Sequence, residues 1–312
     1  MLLSVVVVNW NSKDHLAACL VALDKQTHGE LQVIVVDNGS EDGSVEVVTE
    51  RFPQVTLIRA GENLGFAEGC NRGLAVARGP WVAMLNNDAF AEPGWAAALV
   101  RAAEIAEPHV GTLQSLMLFQ GRPGIVNSTG VELLWNGTGC DRAEGKTQAE
   151  CSTSVEIFCA CAGAAAYRRS MLEQIKLTNG YFDRTHFMYL EDLDLGWRAQ
   201  LAGWTARYVP QSVVQHVWHG SSSRHGNSWL AGMVRANRIR TVLKNASPAM
   251  MARTGVNLLG AALELLWYAR GRGPQALLGA VQAGLQGRKE VSALARRERR
   301  QVEAKWIKSR RS

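Results

Sequence analysis

Trp81-Val82-Ala83-Met84-Leu85-Asn86-Asn87-Asp88 is an apolar run that stops abruptly in two amides and a carboxylate. A short apolar run bounded by polar residues reads as a strand buried on both faces. Oxygen ligands then sit at its carboxyl end, the edge of an open α/β sheet where ligands bind. One carboxylate cannot cage a divalent ion. It can hold Mg2+ or Mn2+ when substrate phosphates supply further ligands. Taken alone, Asn-Asn-Asp is more often a plain polar turn, and the neighbouring segments decide between the two readings.

Toward the N-terminus, residues 3–8, 31–36 and 55–58 are further apolar, β-branched runs. The first breaks at Asn9-Trp10-Asn11-Ser12 and the second at Asp37-Asn38-Gly39-Ser40-Glu41-Asp42-Gly43-Ser44. Helices are predicted over 13–23 and 45–51, capped by Ser12 and Ser44, and over 66–77 after a loop at 61–65. Strands and helices alternating at this pace give a parallel sheet. Asp37 and Asp88 then fall along one sheet edge, which would be a nucleotide and metal crevice.

Toward the C-terminus the pattern gives a helix over 95–106 and a strand over 111–119. Residues 120–154 follow, rich in Gly, Asn, Thr and charge. A connection that long usually carries function. Gly163-Ala164-Ala165-Ala166 would let backbone or ligand approach closely. Glu191-Asp192-Leu193-Asp194 sets three carboxylates in four positions, more than a helix start needs. Crowding by Glu191 and Asp194 would raise one carboxyl toward the pKa of a base. A strand over 205–209 precedes His216, His219 and the serine run 221–223.

With 312 residues and 47% hydrophobic content, the chain has room for one large α/β core and an extension. Residues 288–312 hold ten Lys or Arg against three Glu, so the net charge of +6 sits in the tail and the body is near neutral. Six cysteines without paired C-x-x-C spacing read as free thiols in a reducing compartment. The apolar start lacks a basic lead and reads as a strand, not a signal peptide. No run approaches the roughly 18–20 apolar residues of a spanning helix.

Four segments together resemble a known family. Val33-Ile34-Val35-Val36-Asp37-Asn38-Gly39-Ser40, Asn63-Leu64-Gly65-Phe66-Ala67, Leu85-Asn86-Asn87-Asp88 and Tyr189-Leu190-Glu191-Asp192-Leu193-Asp194-Leu195 occur in the order typical of inverting glycosyltransferase family 2. The chain is most similar to its bacterial rhamnosyltransferase-like members, over residues 3–222. A weaker match continues in Arg235-Ala236-Asn237-Arg238 and Lys244-Asn245. The resemblance implies a GT-A fold, a nucleoside-diphosphate sugar donor and a Mg2+ or Mn2+ cofactor. Asp37 would meet the base, with Asn9, Asn38, Asn63, Gly65, Asn86 and Asn87 around the donor. Asp88 would bind the metal, in a D-x-D element whose first position is here Asn86. Asp192 matches the catalytic base, Glu191, Asp194 and Arg198 would support it, and His216 or His219 would be the late metal or diphosphate ligand.

The chemistry agrees: inverting transfer needs a base for the acceptor hydroxyl and a partner for the leaving diphosphate, but no enzyme nucleophile. Two rivals fare worse. A sugar nucleotidyltransferase carries a Gly-rich basic loop after its first strand, where this chain has Asn9-Trp10-Asn11-Ser12. A non-catalytic nucleotide-sugar-binding or membrane-docking protein would show a damaged base or metal site. Gly145-Lys146-Thr147 is not a phosphate loop, because the required earlier glycine is Cys140.

From residue 226 the chain turns helical. Residues 1–225 are therefore expected to form the catalytic domain and 226–312 a basic helical extension. Short apolar helices beside a +7 segment suit the plane of an anionic bilayer, here the cytoplasmic face of the inner membrane. A packed helical cap is the plainer alternative. The acceptor implied is a glycan or a polyprenyl-diphosphate-linked saccharide. Nucleic acid is not expected, since no recognition motif accompanies the charge.

Overall fold

The β-branched run at the N-terminus forms β1 (Leu3–Asn9), and its alternate residues bury on opposite faces of the sheet. Val5 and Val7 face one layer and Val6 the other, which explains why the sequence runs apolar without alternation. The computed structural model describes residues 1–217, 227–268 and 273–307. His219, the serine run 221–223 and the expected domain boundary at 225 lie outside them.

After β1 come α1 (Lys13–Asp24), β2 (Leu31–Asp37), α2 (Ser44–Arg51), β3 (Thr56–Arg59), α3 (Gly65–Val76) and β4 (Trp81–Leu85). Then follow β5 (Ala89–Ala91), α4 (Trp95–Glu104), β6 (Val110–Phe119), β7 (Val126–Ser128), β8 (Val131–Leu133) and β9 (Gly139–Asp141). Next are β10 (Glu156–Ile157), β11 (Ala164–Arg168), α5 (Arg169–Ile175), α6 (Glu191–Leu201) and β12 (Thr205–His216). Four helices complete the described chain: α7 (Asn227–Asn245), α8 (Pro248–Tyr268), α9 (Gly273–Leu294) and α10 (Arg299–Trp306).

The main sheet runs β10-β12-β6-β11-β4-β1-β2-β3, with β5 added to β12 and β7 to β6. β4, β1, β2 and β3 pair in parallel, as the alternation predicts, and Asn9 pairs with Asp37 at the shared edge. β11 lies antiparallel between β4 and β6. Its small residues Ala164, Ala165 and Ala166 are all buried there. One layer packs α1 and α4 through Leu16, Leu20, Trp95 and Leu99; the other packs α3, α5 and α6 through Leu74, Leu172 and Leu195.

Three details differ from the sequence reading. Ser12 and Ser44 do not cap their helices; Asp42 accepts from the amide of Lys13 (2.8 Å) and from both Ser44 N and Oγ. A carboxylate in the loop thus serves two helix starts. The strand expected to end at residue 209 continues to His216, past a register shift between Val209 and Val213. Residues 120–154 are not one loop but contain β7, β8 and β9.

The C-terminal helices share a core with the first part of the chain. Leu193, Trp197 and Leu201 of α6 cluster with Val242 of α7, Ala246 just after it, Met250 of α8, Val291 of α9 and Val302 of α10. Each such side chain removed from water contributes about 1.5–3 kcal/mol. Part of the basic tail is also engaged: Arg288 donates to the carbonyls of Leu243 (2.9 Å) and Ala246 (2.8 Å), and Arg299 to that of Asn245 (3.1 Å). Cations at the end of α7 complement its dipole and satisfy its last carbonyls.

Candidate active site

β4 ends at Leu85, and the chain turns through Asn86, Asn87 and Asp88 into β5, which pairs antiparallel with the end of β12. That pairing sets Ala89 opposite His216 and brings the Asp88 carboxylate to the imidazole, Oδ1 to Nε2 at 3.2 Å. β7, on the far side of β6, supplies Asn127, whose Oδ1 lies 2.8 Å from His216 Nδ1. The Asn127 oxygen can accept from Nδ1–H, an arrangement that would leave Nε2 as the ring nitrogen able to meet a metal ion. In that arrangement two electron-pair donors, Asp88 Oδ1 and His216 Nε2, converge, and the Asn86 amide stands 3.4 Å from the same nitrogen. A divalent ion fits between such groups. Burial pushes the Asp88 carboxyl up, but His216, a backbone hydrogen bond and His15 together leave it below its ordinary value. No cluster of three or more His, Cys, Asp or Glu suited to a metal occurs among the described residues.

These residues open on a cavity of about 380 Å³, whose wall also includes Asn38, Asn63, Gly65, Asn86, Asn87, Glu191 and Asp192. Asn9 and Asp37 are not on the wall; both are buried behind it. Asn87 donates to Asn9 Oδ1 (2.8 Å), Asn9 to Asp37 Oδ1 (3.3 Å), and the Ser40 amide to Asp37 Oδ2 (2.9 Å). The chain of bonds ties the β4 turn to the loop after β2. Asn38 donates from Nδ2 to the Gly65 carbonyl (3.0 Å), leaving its buried Oδ1 without a protein partner. That oxygen is an acceptor available to a ligand N–H. Gly65 has φ +81°, and a Cβ there would lie 2.6 Å from the Phe187 ring, so only glycine permits this approach.

Across the cavity, Glu191 and Asp192 open α6. Asp192 accepts from Leu193 N (2.7 Å) and, through its second oxygen, from Ala162 N (3.3 Å). Burial is the main cause that raises its pKa to about 6; the Asp141 carboxylate adds to it, while the backbone bonds oppose it. Burial, with Asp192 beside it, pushes Glu191 much higher, and Glu191 Oε2 has no protein partner. Both carboxyls of the adjacent pair are held above their ordinary range, Glu191 the further.

Asp194 adds to the Glu191 shift, as the crowding read from sequence expects, but is not among the causes at Asp192. It points to the opposite side of α6, where Oδ2 accepts from Arg198 Nε (2.9 Å) and Oδ1 from Asn245 (2.8 Å) and Lys244 (3.0 Å). Lys244 also pairs with Asp183. Burial pushes both carboxyls up, and Lys244, with Arg198 at Asp194, outweighs it and keeps them below the usual carboxylate range. Breaking a buried ion set of this kind costs about 3–5 kcal/mol. Asp194 and Arg198 thus anchor α6 to α7 and lie off the cavity.

The backbone entering α6 is strained. Phe187, Tyr189 and Leu190 have φ of +62°, +67° and +65°. Left-handed backbone costs a non-glycine residue about 1–2 kcal/mol. Such strain clusters at functional sites. Sequence reasoning missed this strain, and it missed Asn127 and Asp141. The long polar stretch 120–154 drew attention, yet no periodicity singled out either residue within it.

Residues 4–176 match Glycosyl transferase family 2. The N-acetylglucosaminyl-diphospho-decaprenol L-rhamnosyltransferase of Mycobacterium tuberculosis is 31% identical over 252 residues, 73% of this chain and 80% of that protein. Among solved structures, GalNAc-T7 with UDP, GalNAc and Mn2+ superposes with a TM-score of 0.61 at 17% identity, over 78% of this chain and 48% of that one. Staphylococcus aureus TarS 1–349 in complex with UDP-GlcNAc gives 0.53 at 18% identity, over 95% and 84%. The fold is that of the GT-A enzymes, and the carboxylates Asp88 and Asp192 lie on one cavity. The chain therefore belongs to glycosyltransferase family 2 and is a glycosyltransferase.

Proposed function

We propose that the chain transfers L-rhamnose from its dTDP-activated form, with inversion and with the help of a divalent ion, to a hydroxyl of a lipid-linked GlcNAc saccharide. The observation that carries this reading is one cavity whose wall holds both a metal-suited pair and a raised-pKa carboxylate. Asn38 Oδ1 supports a thymine or uracil base, whose ring N–H can donate to it. Asp88 and His216 would hold Mg2+ or Mn2+, which when bound offsets negative charge on the leaving diphosphate. Asp192 takes the proton of the acceptor hydroxyl as its oxygen attacks the anomeric carbon. The C–O bond to the diphosphate breaks, and the electron pair leaves with the nucleotide. Glu191, whose carboxyl burial pushes upward and whose Oε2 has no protein partner, would hydrogen-bond the incoming sugar.

The donor and acceptor are tested together. With dTDP-rhamnose and GlcNAc-diphospho-polyprenol, dTDP is expected to be released stoichiometrically with a rhamnosylated lipid, and only slowly without acceptor. UDP-, GDP- and other dTDP-sugars should give markedly less. Equal turnover of another donor would reassign the sugar.

The same reading sets the chain on a bilayer from the cytoplasmic side, by a surface different from the basic tail. α8 exposes Val256, Leu259, Leu263, Leu266 and Trp267, and their spacing makes them one helical stripe. Beside it, Glu264 pairs with Arg235 and Leu265 approaches Gly232, so α8 ends next to the start of α7. There Trp229 packs edge-on against Phe187 of the cavity wall, 5.7 Å between centroids. An apolar stripe leading to the cavity suits a lipid-borne acceptor held at the membrane surface. No helix among the described residues is long and apolar enough to cross it. Leu263 and Trp267 are 60% and 83% exposed, so replacing both with Glu should spare the fold. Co-sedimentation with phosphatidylglycerol–phosphatidylethanolamine vesicles should drop several-fold in that variant. Unchanged sedimentation would remove α8 from the membrane reading.

A further inference from the structure

Three backbone carbonyls converge on one side-chain atom at the start of the base-bearing helix. The oxygens of His186, Met188 and Tyr189 each lie 2.8 Å from Asn237 Nδ2, on α7. Asn237 is fully buried, and its Oδ1 accepts from Arg240 Nη1 (2.8 Å), which fixes the amide with its nitrogen toward those carbonyls. The carbonyls bracket the left-handed residues Phe187, Tyr189 and Leu190, and Glu191 and Asp192 come next. One turn further along α7, Thr241 Oγ1 lies 2.8 Å from His186 Nε2. On its other side the segment meets the donor half of the cavity, where the Ala67 amide donates to the Phe187 carbonyl (3.0 Å).

A backbone at φ above zero relaxes unless its surroundings over-determine it. Buried carbonyls facing one another would also separate if nothing stood between them. Asn237 answers both needs from a helix outside residues 4–176, the segment that matches the family. We propose that Asn237 is a positioning residue for the transfer reaction: it holds residues 186–190 in their left-handed path and thereby aims Asp192 at the acceptor hydroxyl. The proposal rests on reading Asp192 as the base. It assigns α7 a part in catalysis beyond filling the core.

The experiment is Asn237→Ala, with transfer kinetics, donor affinity and the thermal transition measured on the same preparation. A small misplacement of a catalytic group can cost about 100-fold in rate. The expected result is a kcat lowered about 10- to 100-fold with donor affinity nearly unchanged. The acid limb of the kcat profile should also move to lower pH, because a loosened Asp192 gains water. Glycine accepts positive φ freely, so adding Leu190→Gly to Asn237→Ala should recover part of the lost kcat. Thr241→Val removes the hydroxyl at His186 but keeps its volume; it should lower kcat less, in the same direction, and serves if Asn237→Ala fails to fold. An unchanged kcat in folded Asn237→Ala, or in Thr241→Val where only that variant folds, would overturn the proposal. So would a loss matched by equally weakened donor binding. If Asp192→Asn keeps full turnover, the base assignment itself fails; if Asp192→Asn is inactive while Asn237→Ala is not, only the positioning role fails.

Discussion

Asp192→Asn is expected to bind donor within a few fold of the wild type and to turn over about 10² to 10⁴ times more slowly, the usual cost of losing a general base. The amide keeps the shape of the carboxylate, and its oxygen can still accept from Leu193 N or Ala162 N. What it loses is the ability to take a proton. Wild-type activity should fall as pH drops below about 6, where Asp192 becomes protonated. The same shift has a stability consequence of definite sign. The folded-state pKa lies above that of an unfolded aspartate, so the native state binds more protons between about pH 4 and 6. Ionising Asp192 therefore lowers stability as pH rises through about 6, and the full penalty is present at pH 8. Asn carries no such penalty. The variant should be more stable than the wild type at pH 8, by about 1–3 kcal/mol, and the gap should close as pH approaches 4. Normal turnover in the variant, or a gap that widens toward low pH, would remove Asp192 as the base.

Asp88→Asn is expected to lower turnover about 10³-fold or more and to weaken metal-dependent donor binding. Asn86 and Asn87 are neutral, so Asp88 is the anionic group of this strand end. Lewis-acid stabilisation of a leaving group amounts to several kcal/mol, and each 1.36 kcal/mol is tenfold in rate. His216 cannot substitute for it, because an imidazole ligand contributes a lone pair but no negative charge. Wild type treated with EDTA should show the same loss, and added Mn2+ should restore the wild type but not the variant. Full activity in either case would remove the metal from the reaction.

Much of the sheet was legible because its signals are local. Largely apolar runs at 3–8, 31–36 and 81–85 became β1, β2 and β4 with little change of boundary, and the polar residues ending them lie along one edge. Asp88, Asp192 and His216 were legible as spaced polar breaks that a family resemblance placed in register, and they line one cavity. What sequence could not show depends on contacts between distant segments. Asn127 reaches His216 only because β7 folds back on β6. Asp194 and Asp192 look alike in sequence, yet half a helical turn sends one to Lys244 and Arg198 and the other to the cavity. Asp37 sits at the expected strand end, but its carboxylate faces Asn9 and the Ser40 amide behind the wall. Net charge suggested a free basic tail, whereas Arg288 and Arg299 cap α7 and the exposed apolar surface lies on α8.

The anomeric configuration of the product tests the proposed reaction most directly. With dTDP-rhamnose and GlcNAc-diphospho-polyprenol as substrates, the new glycosidic carbon can be assigned by NMR from its one-bond C–H coupling. A single displacement with Asp192 as base gives a linkage of configuration opposite to the donor's, with one dTDP released per sugar transferred. A retained configuration would contradict direct attack by the acceptor hydroxyl and with it the role of Asp192.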